Sequence, residues 1–277
     1  MAFNEQSVQA RKALLDVAEA LDGHLESLVL VGAQAIYLYT GDADVAVATA
    51  TKDSDIAVIP DLLGSDPTLE KAMEQAGFKP ALAGQQGKWF SPEGIPVDLI
   101  APEGLQGPAA RGRRGIRMPP HSQQSARTTP GLEGIAVDSR EMEIRSLVAE
   151  DPRSVTMKVA GPSTLVVAKT FKICERIDSA DRGNVNKVFE KDAHDLYRLL
   201  QAVPMLEIVD GFKALLEDKV AAAGARWSLD ELRRHGSEPD FRIPVLAGRT
   251  EVGVGDPEIV SVATAALVRE LLAEVPS

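Results

Sequence analysis

The chain carries one cysteine, Cys174, in 277 residues. A single thiol excludes an intramolecular disulfide framework and fits a reducing cytosol, so a cytoplasmic location is expected. No apolar run approaches the roughly 18–20 residues that span a bilayer. The opening stretch MAFNEQSVQARKALLDVAEALDG reads as an amphipathic helix with charges inside it rather than a signal peptide. Histidine is scarce and never occurs at metal-ligand spacing. The helical pattern sets His194 opposite the apolar face of its helix, exposed to solvent, and His121 falls in a loop. Neither a P-loop nor a Rossmann fingerprint occurs, no Ser/His/Asp or Cys/His set supports nucleophilic catalysis, and there is no internal repeat.

What is present is acidic. The formal net charge is −11, with 44% hydrophobic and 26% charged residues. That composition is ordinary for a globular chain of one large or two smaller domains. Its overall field repels phosphate, which excludes an indiscriminate nucleic-acid binder and argues against DNA as a partner. The charge is uneven, however. Between Gln106 and Thr128 stand Arg111, Arg113, Arg114, Arg117 and Arg127, with no acid among them.

Helix and strand patterns interleave over residues 1–100. LVLV (Leu28–Val31) is a short strand followed by a glycine turn and a helix, and SDIAVIP is a strand stopped by Pro60. SDPTLEKAMEQAGF has Asp66 as N-cap, Pro67 at the first helical position and Gly77 as the stop. KWFSPEGIPVDLIAP reads as a hairpin with Asp98 in its second strand. Residues 102–131 lack periodicity and read as a mobile basic loop. GIAVDS, EMEIRSL and VTMKVA then suggest short strands, and helical patterns follow at 162–178, 186–201, 204–223, 228–235 and 256–274. The expected fold is therefore α/β, a mixed sheet with flanking helices over 1–160, plus a helical half over 161–277.

Four features carry possible chemistry. Gly32 lies between a strand and a helix, where backbone amides can approach a phosphate; an ordinary turn is the alternative. In TATKDSDIAVIP, Asp53 and Asp55 are two residues apart, so on one strand they face the same side and suit a divalent metal; an acidic turn is the alternative. Asp98 alternates with Val97 and Leu99, and a mid-strand aspartate is disfavoured without a task. In the helical half, Lys169, Lys172 and Arg176 form a stripe beside an apolar band of Val166, Val167, Phe171, Ile173 and Cys174. Asp192 projects among Val188, Phe189, Leu196, Leu199 and Leu200, where a carboxylate needs a partner such as Lys169. Trp89-Phe90 could stack on a base, but a strand aromatic is more often core.

Together the glycine turn, the Asp-x-Asp strand and a third aspartate on a neighbouring strand resemble the nucleotidyltransferase fold. Within it, VGAQAIYLY…TATKDSDIAV, LVVAKTFKICER and KDAHDLYRLL resemble the AbiEii/AbiGii (MenT-like) toxins of type IV-like toxin–antitoxin systems, over roughly residues 20–202. The chain departs from that pattern at Ala33, where Gly or Ser is usual, and at Thr49, where many members have arginine. The resemblance implies an enzyme that binds a nucleoside triphosphate near Gly32, Ala33, Thr51 and Lys172. Asp53, Asp55 and Asp98 would hold Mg²⁺, with Asp98 alternatively a base. Lys169 would neutralise phosphate charge and Asp192 would orient Lys169. The implied reaction is transfer of a nucleotide to RNA, most plausibly the 3′ end of tRNA, with a cognate antitoxin as a further partner. Arg111, Arg113, Arg114, Arg117 and Arg176 are the candidates for RNA phosphate. Two alternatives stand beside this: transfer to a small cationic molecule such as an antibiotic, which suits the acidic surface, and a non-catalytic partner-binding protein that keeps the fold.

Overall fold

The computed structural model describes residues 4–41, 51–82, 84–106, 115–184, 190–253 and 255–275. The chain is mixed α/β and divides into two compact units, one of residues 1–35 and 50–160, the other of 36–49 and 161–277. The break after Ala160 coincides with the end of the expected α/β core. The short segment 36–49 instead groups with the helices.

The α/β unit opens with α1 (Glu5–Ala20), N-capped by Asn4, whose side chain accepts from the Ser7 amide. Its strands are β1 (Leu28–Val31), β2 (Ser54–Val58), β3 (Lys79–Pro80), β4 (Lys88–Phe90), β5 (Pro96–Pro102), β6 (Arg127–Thr129), β7 (Ser139–Arg145) and β8 (Ser154–Ala160). They form one sheet in the order β3-β4-β5-β2-β1-β8-β7, with β6 added to β5. β1/β8, β2/β5 and β5/β6 are parallel; β1/β2, β4/β5 and β7/β8 are antiparallel. β1, an unbroken apolar run, is central and buried along its whole length, as such runs are.

Alternation in β2 and β5 sorts the two faces. Ile56, Val58, Val97 and Leu99 are fully buried, and the Ser54 hydroxyl on their side donates to the Ala10 carbonyl of α1. That side packs on α1, which also meets α3 (Leu69–Gln75). Asp55 and Asp98 take the opposite side, as the period-two pattern requires.

Three local expectations are corrected. The N-cap of α3 is Thr68, which accepts from the Lys71 amide, rather than Asp66; Gly77, at φ +84°, follows its end as expected. GIAVDS contains a 3-10 turn (Glu133–Ala136), so only the next two segments are strands. The stretch expected to be a mobile loop is built into the unit from Gly115 onward: Ile116, Met118 and Ala126 are buried and β6 joins the sheet. Buried polar contacts fix it. His121 Nδ1 accepts from the Leu69 amide, Glu70 accepts from Ser122 and Ser125, and Trp89 Nε1 donates to the Ser125 carbonyl. Trp89, 1% exposed, is therefore a core residue.

The helical unit contains α4 (Pro162–Asp181), α5 (Glu190–Ala202), α6 (Met205–Glu217), α7 (Ala222–His235), α8 (Arg242–Arg249) and α9 (Pro257–Glu274). α4 packs on α5, α6 and α7, while α5 also packs on α8 and α9. The expected helix over 204–223 is broken after Glu217, because the Asp218 carboxylate accepts from the Val220 and Ala221 amides. α8, RIPVLAGR, was not expected. Its Pro244 lies in the first turn, where a missing N–H costs no helical bond. Among the described residues, no helix is long and apolar enough to cross a membrane.

Candidate functional site

The acidic end of the sheet is built at the junction of β1, β2 and β5. Asp55 pairs laterally with Asp98 across parallel strands, and with Val31 at the end of β1. Residues paired in this way share a face, so the two carboxylates are neighbours. Gly32 follows Val31 and begins α2 (Gly32–Thr40) with φ +71°. A Cβ built there would collide with Asp55 Oδ2, so the glycine is what clears room for this carboxylate. Gly32→Ala should cost at least the roughly 1–2 kcal/mol of a left-handed non-glycine residue. It should also displace Asp55, which a melting curve and a metal titration on the same sample would report.

Asp53 lies in the bend ahead of β2 rather than in the strand, so the shared-face argument applies to Asp55 alone. Buried Thr51 fixes Asp53 instead: its hydroxyl donates to the Asp53 carbonyl (3.2 Å) and carboxylate (3.3 Å). From the first turn of α2, Gln34 Nε2 donates to Ser54 Oγ (2.7 Å) and to the Asp53 carbonyl (3.4 Å), while its Oε1 accepts from Arg11 Nε. Burial lowers the Arg11 guanidinium to about 10. Gln34 and Arg11 were missed from sequence. The signal was a lone polar residue in the otherwise apolar GAQAIYLY.

Asp98 Oδ2 meets Arg127 Nη2 at 3.2 Å, and its buried Oδ1 has no hydrogen-bond partner among the described residues. The expected convergence of three carboxylates is thus incomplete. Among the described residues, no three His, Cys, Asp or Glu side chains are grouped closely enough to hold a metal ion. Asp55 and Asp98 form a pair, Asp53 flanks it, and Asp98 already faces a cation. Ala33 is buried beside Gly32. Arg117 is exposed; Arg111, Arg113, Arg114 and Thr49 lie outside the described residues.

The second constellation lies within the helical unit. Lys169 is 5% exposed, and its Nζ donates to Asp192 Oδ1 (2.8 Å) and to Asp195 Oδ2 (2.6 Å). Burial alone would lower the lysine, but Asp195 and Asp192 outweigh it and hold its pKa above the ordinary value. Burial likewise pushes Asp192 up, while Lys169, Lys172 and Arg176 bring it down to about 2. Arg176 Nη1 stands 3.0 Å from Asp192 Oδ2, and half-exposed Lys172 stands 3.8 Å from Oδ1. The basic stripe of α4 is therefore seated on the buried acids of α5. Lys169 satisfies Asp192 as expected; Asp195, its closer partner, was missed. Val188 and Phe189 lie outside the described residues.

His194 is 1% exposed, which corrects its expected place in solvent. α5 is covered on more than one side, so the face opposite its apolar stripe meets α8 and α9 instead of water. His194 Nε2 lies 3.3 Å from Glu251 Oε1. Burial lowers its pKa, only partly opposed by Asp195 and Glu251. Burial lowers that of His121 as well. A depressed histidine resists protonation in the folded state, so stability is lost as pH falls below the unfolded value of about 6.5. Between pH 7 and 5, His194→Leu should lose less unfolding free energy than wild type, as urea titrations at both pH values would measure. Cys174 is buried, its thiol pushed up to about 12 by burial and then by Glu231, so it is not a reactive nucleophile at neutral pH.

Comparison of the chain with family models, with curated proteins and with solved structures finds no match.

Proposed function

We propose that the protein is a Mg²⁺-dependent nucleotidyltransferase that moves a nucleotide from a nucleoside triphosphate to RNA, at the 3′ end of tRNA, in the manner of the AbiEii/AbiGii toxins it resembles. One observation carries this reading: Asp55 and Asp98 are register partners on adjacent parallel strands, beside a glycine whose missing Cβ leaves space for the Asp55 carboxylate. The donor set fits magnesium. It is all oxygen, it includes a buried acceptor on Asp98 without a partner among the described residues, and Mg²⁺ commonly takes only one or two carboxylates together with substrate phosphates. Bound there, the metal would offset charge developing on the transferred phosphoryl group. Asp53 and Asp55 would hold it, Thr51 and Gln34 would keep Asp53 in place, and Asp98 would accept the proton of the attacking hydroxyl or join as a further ligand. In this reading Lys172 and Arg176, more exposed than Lys169, are the cations of α4 best suited to meeting an anion.

Incubating the protein with each α-labelled triphosphate, Mg²⁺ and bulk tRNA tests this. Label should enter tRNA with wild type and be absent with Asp53→Ala or with EDTA. Transfer to aminoglycosides and not to tRNA would support the small-molecule alternative. The Arg127–Asp98 contact favours a second reading, a partner-binding protein with the fold but no reaction. That reading predicts no transfer to any acceptor.

A further inference from the structure

The sequence pattern sets Arg127 in a mobile basic stretch, yet its backbone is paired into the sheet and closely packed. It opens β6, opposite Ile100 and thus on the Asp98 face of β5. Gly87, at φ +73°, passes so close that a Cβ there would strike the Arg127 amide, the Ala126 carbonyl carbon and the Leu99 carbonyl oxygen. The preceding residues, Ser125 and Ala126, are fully buried. The side chain is fixed as well, since Nη1 donates to Thr129 Oγ1 at 2.6 Å and Nη2 reaches Asp98 Oδ2 at 3.2 Å. Its side chain nevertheless keeps 36% of its exposure, against 20% for that of Asp98. The contact is one-pronged. A guanidinium can engage a carboxylate through two parallel bonds, but here the second carboxylate oxygen is buried and, among the described residues, unpaired. Buried polar atoms are usually paired, so the open oxygen leaves this contact incomplete.

We propose that Arg127 is an exchangeable counter-ion: it neutralises Asp98 while the acidic end of the sheet is empty, and it turns to an oxygen of the phosphate chain when metal and triphosphate arrive. The proposal rests on reading Asp53, Asp55 and Asp98 as the metal-binding face. A divalent ion on Asp98 Oδ1 would stand beside the guanidinium on Oδ2, and the two positive charges repel, so cation binding and the Arg127 contact compete. Released, the guanidinium offers planar paired donors two residues along β5 from Asp98, a geometry that suits phosphate oxygens. Lys88, the antiparallel partner of Asp98 on β4, adds a second cation to the same face.

The test is calorimetric titration of the purified full chain, first with Mn²⁺ alone and then with inorganic tripolyphosphate in the presence of Mn²⁺. Arg127→Ala should bind Mn²⁺ roughly two- to fivefold more tightly than wild type, the span one exposed ion pair is worth. It should bind tripolyphosphate on the order of tenfold more weakly, as expected for a lost charge-assisted contact. Arg127→Lys, which keeps the charge, should restore the wild-type Mn²⁺ affinity and only part of the tripolyphosphate affinity. Asp98→Asn added to Arg127→Ala should erase the Mn²⁺ gain. Unchanged or weaker Mn²⁺ binding by both Arg127 variants, with wild-type circular dichroism, would overturn the exchange. If Asp55→Ala still abolishes Mn²⁺ binding in that case, the metal-binding face survives without it. Mn²⁺ binding that persists in Asp55→Ala would remove the face and the exchange together.

Discussion

Lys169→Ala is expected to lower the stability of the helical unit by about 3–5 kcal/mol, the cost of removing one partner from a buried ion pair. The cause is not the loss of one attraction. Asp192 and Asp195 would remain in place, 4% and 0% exposed, with their shared cation gone and, among the described contacts, Arg176 and the more distant Lys172 left near Asp192. Helical circular dichroism at 222 nm should report a melting midpoint lower by roughly 10–20 °C for a unit of this size. Replacing all three members with apolar residues (Lys169→Met, Asp192→Leu, Asp195→Leu) should recover most of the loss, because it removes the desolvated charges together. A single-variant loss below about 1 kcal/mol would mean that water reaches the cluster.

Asp55→Asn is expected to reduce nucleotidyl transfer by on the order of a thousandfold or more, while leaving the fold intact. Asparagine keeps the shape that Gly32 accommodates, so the melting temperature should change little. What it removes is the anionic oxygen on the face shared with Asp98, and losing a group that stabilises developing charge costs roughly 10²–10³ or more in turnover. Single-turnover rates at saturating Mg²⁺ separate this from weaker binding: added metal should not restore the rate. If the protein acts as a toxin, bacteria expressing wild type should arrest and those expressing Asp55→Asn should grow. Wild-type turnover by Asp55→Asn would place the chemistry elsewhere.

The sheet was legible because its strands obey simple rules. LVLV is unbroken and lies at the centre; SDIAV and PVDLI alternate and are apolar on one side. The Asp98 face followed from counting by two. Asp53 did not obey that count, because the strand begins one residue later and a threonine hydroxyl sets the bend. β6 was invisible for a different reason. Its three residues gain their place from Gly87 and from the carbonyls and amides of distant loops, none of which leaves a local periodicity. In the helical half, the discomfort of Asp192 among leucines pointed correctly to Lys169. His194 was misjudged and Asp195 passed over because a helical wheel with one apolar stripe implies one wet face, whereas α5 is covered by helices on several sides. Polar residues on such a helix look like surface until their partners are known.

The double grip of α5 on Lys169 also selects how these helices come together during folding. Asp192 and Asp195 are one turn apart and close on the same amine. Sliding α5 along α4 by a turn would bring Leu196 or Leu199 against a desolvated ammonium and strand both acids in hydrocarbon. Apolar side chains alone would tolerate such a slip at little loss; a charge trio makes the misdocked arrangement expensive enough to come apart and try again.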